Sequence, residues 1–464
     1  MLNHVIKIAG FQSLFIQFLA NFYMKPTQSP QQSNQHDLFR SELVNMINPG
    51  HPLVTLSKAV DWKRLEEVFG ETYCPDNGRP AISTRLMVAL HYLKYTYNLS
   101  DEDVVRGWLE NPYWQYLSGM KFFQHKLPIH PSSMTRWRNR IGETGGEELL
   151  KETIGAGLRM KAIKKSQLKR INVDTTVQEK DIRFPTDARL YDRARQRLVN
   201  EAKKRDIKLR QNYNRVSRKL VCQQSRYAHA RQMKRARSCT SKLRTYLGRI
   251  IRDIERNCAA PDESLNSLLT VSRRIFTQQR NDKHKVYSVH EPDVACISKG
   301  KAHKRYEFGC KVSVAATSRG GWFVGALAFS GNPYDGHTLS DTLKQVTRLS
   351  RTPEHVFVDR GYRGHGYDGD CRVYVDKVRR GRTARSVWGW MKRRAAIEPG
   401  IGHLKQEHRM DRNRLKGEAG DRINAILSAA GMNFRKLLKF LAGFLCLFYL
   451  WALSAGRIRE KCAA

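Results

Sequence analysis

The chain has 464 residues and carries 83 lysines and arginines against 43 aspartates and glutamates, a formal net charge of +40. A chain of this length has room for two or three domains with ample core. So large a positive charge favours a polyanionic partner, nucleic acid before an anionic membrane surface. The nine cysteines include no C-x-x-C pair, which argues against a zinc site or a disulfide framework and fits a reducing cytoplasm.

The two ends of the chain differ in composition from the rest. Residues 1–40 start with an interrupted apolar stretch and continue into a Gln-, Ser- and Pro-rich run. We interpret them as a disordered or mis-annotated extension upstream of a start at Met24. Residues 431–464 contain an apolar run at 440–455, which is slightly short for a membrane span of about 20 residues. A buried C-terminal helix and tail, or an oligomer contact, is predicted there in preference to a membrane anchor.

Residues 41–160 have the apolar spacing of helices with one buried face, which predicts a helical N-terminal domain. Ser100, followed by three acidic residues, is a helix-start signal. A basic helix is expected after His130, capped by Ser132 or Ser133. Two interpretations of it are equally open from the residues alone: a helix that reads the major groove, or a solvated basic face. Its basic residues are Arg136, Arg138 and Arg140.

Residues 161–430 are predicted to form a second domain with a basic helical insertion at 185–285. Between positions 191 and 260 there are 21 basic and 5 acidic residues and very few glycines, which favours long helices. Apolar residues recur too sparsely to indicate a two-sided core, so we predict a protruding helical hairpin. The charge favours an arm that tracks DNA over a merely solvated arm. The residues expected to meet phosphates are Lys203, Lys204, Arg205 and Lys208.

Three carboxylates stand where chemistry is expected. Asp174 lies inside a β-branched run, where an acid needs a partner or a metal ion. Asp359 follows an apolar strand and precedes a glycine turn, which predicts a position at the rim of a sheet; an Asx turn or helix cap is the plainer alternative. Glu398 precedes Pro399, which suits the first position of a helix. Lys405, seven residues after Glu398, shares its helical face.

The segments between these acids alternate between strands and helices. Strands are predicted at 306–317 and 322–330, joined by a turn at 318–321. A helix is predicted from about 338 to 349 and a short strand at 371–377. The acids then lie on the first strand, after the fourth strand and on the last helix. This order indicates an α+β fold, with a mixed sheet flanked by helices.

These acids and their surroundings resemble the DDE signature of insertion-sequence transposases. Arg394, Glu398 and Lys405 match an Arg-x3-Glu-x6-Lys motif. The runs Ala-Ile-Glu-Pro-Gly-Ile-Gly-His-Leu-Lys and Gly-Asn-Pro-Tyr-Asp-Gly-His-Thr-Leu are similar to the insertion-sequence-five family in particular, and the resemblance covers most of the chain. That family has a tyrosine three residues before the arginine. Here the position is Met391, so a DNA contact made by that tyrosine has no counterpart.

The resemblance implies an RNase H-like catalytic domain and an N-terminal helical domain that binds transposon ends. Converging carboxylates repel each other unless hard divalent cations compensate them, and oxygen ligands select Mg²⁺ or Mn²⁺, here as two ions. The ligands implied are Asp174, Asp359 and Glu398. Arg394 and Lys405 are expected to hold the neighbouring phosphates.

The function implied is cleavage at the terminal inverted repeats of the chain's own insertion sequence, followed by attack of the 3′-OH on target DNA. Synapsis of two ends implies a homodimer or a larger assembly. The expected setting is the bacterial cytoplasm, in association with the nucleoid and without a membrane. Two alternatives stay open: an RNase H-like nuclease that cuts without joining, and a basic DNA-binding protein whose acids have lost catalysis.

Overall fold

The computed structural model describes residues 23–24, 41–73, 79–298, 305–376 and 385–463, with side chains in the last range described as far as 443. Tyr23–Met24 pairs in parallel with Arg79–Pro80. The rest of the predicted extension 1–40 lies outside the described residues, as do most side chains of the apolar run at 440–455. Phe440, at the start of that run, is 42% exposed. Within the described ranges, no helix is long and apolar enough to cross a membrane.

Seven helices occupy the described part of residues 41–160, as the apolar spacing predicted. The predicted start after Ser100 is confirmed, because Ser100 and Asp103 exchange side-chain and backbone hydrogen bonds in a capping box. The cap predicted for the basic helix is wrong: that helix begins at Ser132, and the residue before it, Pro131, supplies no side-chain cap. The bounds are α1 Leu43–Met46, α2 Pro52–Ala59, α3 Trp62–Gly70, α4 Thr84–Thr96, α5 Asp101–Glu110, α6 Pro112–Leu117 and α7 Ser132–Arg159.

A mixed sheet of six strands forms the centre of the second region, which confirms the predicted α+β class. β1 is central, antiparallel to β3 and parallel to β5, and β6 continues the sheet beyond β5. β2 and β4 share the other edge of β3; β2 is an addition to the predicted strand order. The bounds are β1 Arg170–Glu179, β2 Ala295–Ser298, β3 Tyr306–Thr317, β4 Phe323–Phe329, β5 His355–Val358 and β6 Arg372–Val375.

Helices cover the sheet and join it to the N-terminal region. They are α12 Asp335–Leu349, α13 Arg385–Lys392, α14 Ile397–Glu407 and α15 Gly417–Ala463. α12 packs on β3 and β4, α14 contacts β1, and α15 contacts β4, α4 and α7. One cluster of buried apolar side chains therefore runs through the N-terminal helices, the sheet and the C-terminal helix. Its members include Leu90, Leu149, Val173, Val314 and Leu437.

The basic insertion is a four-helix unit with its own core, so the predicted hairpin is wrong. Its helices are α8 Asp187–Lys204, α9 Asn214–His229, α10 Met233–Asn257 and α11 Glu263–Thr277. Buried apolar side chains from α8, α10 and α11 meet between the helices, among them Leu198, Leu243, Leu247, Ile254 and Leu269. The stripe on α10 has the three- and four-residue spacing of an amphipathic helix and supplies the second side that the prediction lacked.

Candidate active site

Two aspartates come together where the parallel strands β1 and β5 lie side by side. Their register sets Asn172 opposite Phe357. Continued by two residues, the register sets Asp174 opposite Asp359, on neighbouring strands about 4.8 Å apart. β5 ends at Val358, beside the middle of β1, and the Asp174 side chain is 16% exposed there. The predicted convergence of these two acids thus follows from strand pairing.

Asp359 is held by a local backbone contact within a crowd of charges. Its Oδ1 accepts a hydrogen bond from the Gly361 N–H at 2.9 Å, so the plainer capping role is also present. Burial raises the pKa of Asp359 above its ordinary value, and the neighbouring carboxylates of Asp335 and Asp376 act in the same direction. The Gly361 N–H and the Arg394 guanidinium oppose them. The raised pKa marks a concentration of negative charge that a cation would relieve.

Glu398 reaches this site through Arg394. The Arg394 guanidinium lies 3.5 Å from Glu398 Oε1 and 3.9 Å from Asp174 Oδ2, bridging the two acids. The Glu398 side chain is 59% exposed. Glu398 is the second residue of α14 and Pro399 the third, so the expected placement of Pro399 at the first position is off by two residues. Pro399 still falls in the first helical turn, where no intrahelical N–H bond is lost.

A buried asparagine fixes the approach to α14. Asn172 on β1 donates from Nδ2 to the Arg393 carbonyl at 3.0 Å, and its Oδ1 accepts from Ser318 Oγ at 2.7 Å. Asn172 is 1% exposed, so both polar ends are satisfied inside the protein. The contact ties the short turn before Glu398 to the strand that carries Asp174. Sequence reasoning missed this residue, because its partners lie far away along the chain.

Lys405 points away from Glu398 toward another acid. Its Nζ lies 3.9 Å from Glu307 Oε1, and the side chains of Lys405 and Glu307 are 16% and 3% exposed. The shared helical face predicted for Glu398 and Lys405 does not make them partners in this arrangement. A phosphate contact by Lys405 stays a prediction.

A fourth carboxylate, Asp335, joins the site from the first residue of α12. Its Oδ1 accepts hydrogen bonds from Thr175 Oγ1 and from Lys311 Nζ, each at 2.9 Å. The sequence analysis used the run around Asp335 only as a family resemblance. The signal available was an acid in a short Gly-Asn-Pro-Tyr-Asp-Gly run, where several other roles are equally common.

A groove of about 360 Å³ lies beside the acids and is lined in part by aromatic and basic side chains. Lys392 Nζ lies 3.7 Å from the ring centroid of Trp388, a cation–π contact. Met391, at the position where the resembling family has a tyrosine, lines the same groove with Arg394.

The donor chemistry of the site suits a hard divalent cation, since the acids offer only oxygen atoms. A Cβ on Gly361 would lie 2.8 Å from Asp335 Oδ2 and 3.1 Å from Asp359 Oδ1, so the glycine keeps a gap open beside both carboxylates. Among the residues with described positions, no group of three or more His, Cys, Asp or Glu side chains is close enough to hold a metal ion. The residues thus fit a cation in chemistry and at this gap, and Arg394 is the cation found between two of the acids.

The three arginines of α7 have different environments. Arg138 is 2% exposed and donates from its two terminal nitrogens to Asp101 at 2.8 and 2.6 Å, so the expectation that it reaches DNA or solvent is wrong for this arrangement. Arg136 is exposed and donates to Ser132, whereas the guanidinium of Arg140 lies 4.7 Å from the Tyr73 ring centroid. DNA contacts by Arg136 and Arg140 stay predictions.

The four basic residues chosen in the insertion also divide into two kinds. Lys204 pairs with Glu201 at 2.8 Å, and Arg205 pairs with Glu201 and, at 2.8 Å, with Asp262. Lys203 and Lys208 are exposed. The second pair therefore offers charge that is less engaged with the protein's own acids.

Two family profiles match the chain. Residues 41–140 match the Transposase domain (DUF772), and residues 277–434 match the Transposase DDE domain. The second match begins at the end of the helical insertion. It includes Asp359 and Glu398, while Asp174 precedes it.

A curated relative from Rhizobium meliloti, described as "Uncharacterized protein ORF8 in nfe locus", is 52% identical to this chain over 209 residues. The match covers the whole of that relative and 45% of this chain. No solved structure matches the chain.

Proposed function

Because the chain belongs to the DDE transposases, we propose that it cleaves the ends of its own insertion sequence and joins the exposed 3′-OH to target DNA. Both steps are phosphodiester transfers, in which a water oxygen and then a DNA hydroxyl displaces a phosphate-bound oxygen. The motif around Glu398 supports an assignment to the insertion-sequence-five group, which the family profiles do not separate from other DDE transposases.

The observation that carries the proposal is the pairing of β1 with β5. A common parallel register brings Asp174 and Asp359 next to each other although 185 positions separate them in the chain. Arg394 links Glu398 to the same place. A structural ion pair between Arg394 and Glu398 alone would not require two further acids beside it.

Asp174, Asp359 and Glu398 are the residues that would hold Mg²⁺ or Mn²⁺, two ions in this proposal. DDE transposases generally use divalent metals, which lower the barrier by stabilising charge on the attacking and leaving oxygens. Arg394 has a separate task. Once its guanidinium is released from the acids, it can donate two parallel hydrogen bonds to a phosphate near the scissile bond. Lys405 requires a comparable exchange, since its ammonium faces Glu307.

DNA binding is proposed to use surfaces of different kinds. Arg136 and Arg140 on α7 are the candidates for reading the transposon end. Lys203 and Lys208 in the insertion supply sequence-neutral attraction to phosphates. The groove beside Arg394 offers aromatic and basic contacts next to the acids.

The proposed partners are the terminal inverted repeats, the target DNA and at least one further copy of this chain. Synapsis of two ends requires two active sites to be held together, which supports a homodimer or a larger assembly. The proposed setting is the nucleoid in the bacterial cytoplasm.

The proposal is tested with the protein, Mg²⁺ and an end-labelled duplex taken from the DNA that flanks the gene. Joined products, absent when the metal is chelated, are expected. Cutting without joining would replace the transposase with a nuclease. A mobility shift with intact DNA would leave only a DNA-binding protein.

A further inference from the structure

Asp335 is held in place by two donors from neighbouring strands. Lys311 on β3 is 8% exposed, and its Nζ donates to Asp335 Oδ1 and to the Pro333 carbonyl. Thr175, next to Asp174 on β1, donates to the same Oδ1. One oxygen of Asp335 is therefore fully engaged, and a buried cation stabilises the ionised carboxylate.

The second oxygen of Asp335 faces the site. Oδ2 and Asp359 Oδ1 lie 2.8 and 3.1 Å from the point that a Cβ on Gly361 would occupy. The two oxygens thus border one small space, which is open only because residue 361 lacks a side chain. Two carboxylates this close repel each other unless a cation or a proton lies near them.

A buried hydroxyl nearby also lacks a partner. Tyr362 is 0% exposed, and within the described part of the chain its Oη has no hydrogen-bond partner. Burial raises the pKa of Tyr362 well above its ordinary value, and the nearby carboxylates of Asp174 and Asp335 add to the shift. The hydroxyl therefore keeps its proton and remains a donor. An unsatisfied buried donor next to two acids indicates a site that is completed by something further, such as cation-bound water.

We propose that Asp335 is a fourth carboxylate of the active site, which shares with Asp359 the binding of the divalent cation across the gap over Gly361. Lys311 holds Asp335 in the orientation required and offsets part of its charge. This inference rests on the proposed function, because it assigns a further ligand to the same metal site.

The proposal predicts opposite effects for the two members of the Lys311–Asp335 pair. Asp335→Asn keeps the shape and removes the charge, so it should weaken cation binding. Lys311→Met removes a positive charge beside the site, so Coulomb attraction for a divalent cation should be unchanged or stronger. A purely structural ion pair would make the two substitutions equivalent, since each leaves the other partner without its counter-charge.

Mn²⁺ binding to the full chain without DNA, measured by electron paramagnetic resonance of the free ion, tests this. Asp335→Asn should weaken the affinity by about tenfold or more, whereas Asp341→Asn should match wild type. Asp341 is the matched control because it lies on the same helix and pairs with Lys344 on the surface. Lys311→Met should bind at least as tightly as wild type.

Several results would overturn the proposal. Unchanged affinity in Asp335→Asn, with binding abolished in Asp359→Asn, removes Asp335 from the site and leaves the proposed function standing. Equal weakening by Asp335→Asn and Lys311→Met reduces the pair to a structural role. If wild type and Asp359→Asn bind Mn²⁺ alike, the metal site itself is wrong and both proposals fall. Should Asp335→Asn not fold, Gly361→Ala fills the gap without touching the Lys311 pair, and unchanged Mn²⁺ affinity there overturns the inference.

Discussion

Replacing Arg138 by alanine should destabilise the N-terminal helices without changing which DNA the protein prefers. The Arg138 guanidinium is buried, donates to both oxygens of Asp101 and also donates to Thr135 at 2.9 Å. Breaking a buried ion pair costs about 3–5 kcal/mol in unfolding free energy. We expect about 3 kcal/mol, the low end, because Lys94 still donates to Asp101 at 2.8 Å.

Urea denaturation followed by tryptophan fluorescence measures this destabilisation, since the neighbouring Trp137 is buried against Phe69 and His91. Arg136→Ala is the matched control on the same helix. Its side chain is exposed, so its unfolding free energy should stay within about 0.5 kcal/mol of wild type. Binding to the transposon end and to a scrambled duplex is compared for both variants. An Arg138→Ala protein as stable as wild type that loses only binding to the transposon end would refute the structural role.

Two further predictions concern the gap at the active site and the insertion. Gly361→Ala should lower Mg²⁺-dependent cleavage by about 100-fold with DNA binding retained, because the new methyl group displaces the Asp335 and Asp359 carboxylates; Gly402→Ala on α14, where the methyl group meets no neighbouring atom within 4 Å, is the control, and equal rates would contradict the crowding argument. In the insertion, neutralising the two exposed lysines should flatten the salt dependence of DNA binding by roughly 0.9 for each phosphate that the protein no longer neutralises, and neutralising the two ion-paired residues should change it less. The pairs compared are Lys203 with Lys208 and Lys204 with Arg205. An equal change for both pairs would mean that the internal ion pairs do not matter, and no change for either would mean that this surface faces away from DNA.

The strands that carry the acids could be predicted because their signals are local. Asp174 sits within a β-branched run and Asp359 directly after an apolar one, and short runs of this kind suffice to indicate strands. That the two runs are parallel neighbours is a property of the sheet. It could be expected only from the order of strands and from the resemblance to a known fold.

Residues whose roles depend on distant partners could not be predicted in this way. Arg138 is buried because Asp101 lies 37 positions earlier, and nothing in the basic helix itself indicates that partner. Asp335 acquires its environment from Lys311 and Thr175, which strand pairing brings together. Both cases concern charged residues whose local sequence is that of an ordinary surface.

The core of the insertion was missed for a different reason. Its apolar stripe on α10, at Leu243, Leu247, Ile250 and Ile254, was already present at helical spacing. The excess of basic residues around it suggested a helix without a buried face. Net charge reports the exposed side of a helix and gives no information about a narrow apolar stripe on the other side.

The measurement that tests the central claim most directly is cleavage of a labelled transposon end by Asp359→Ala, beside wild type and Asp368→Ala. Asp368 is an exposed acid nine positions further on and serves as the matched control. We predict that Asp359→Ala binds the end as wild type does but forms no cut or joined product, whereas Asp368→Ala forms both. Cleavage by Asp359→Ala within about tenfold of wild type would contradict the assignment of the acids as the catalytic metal site.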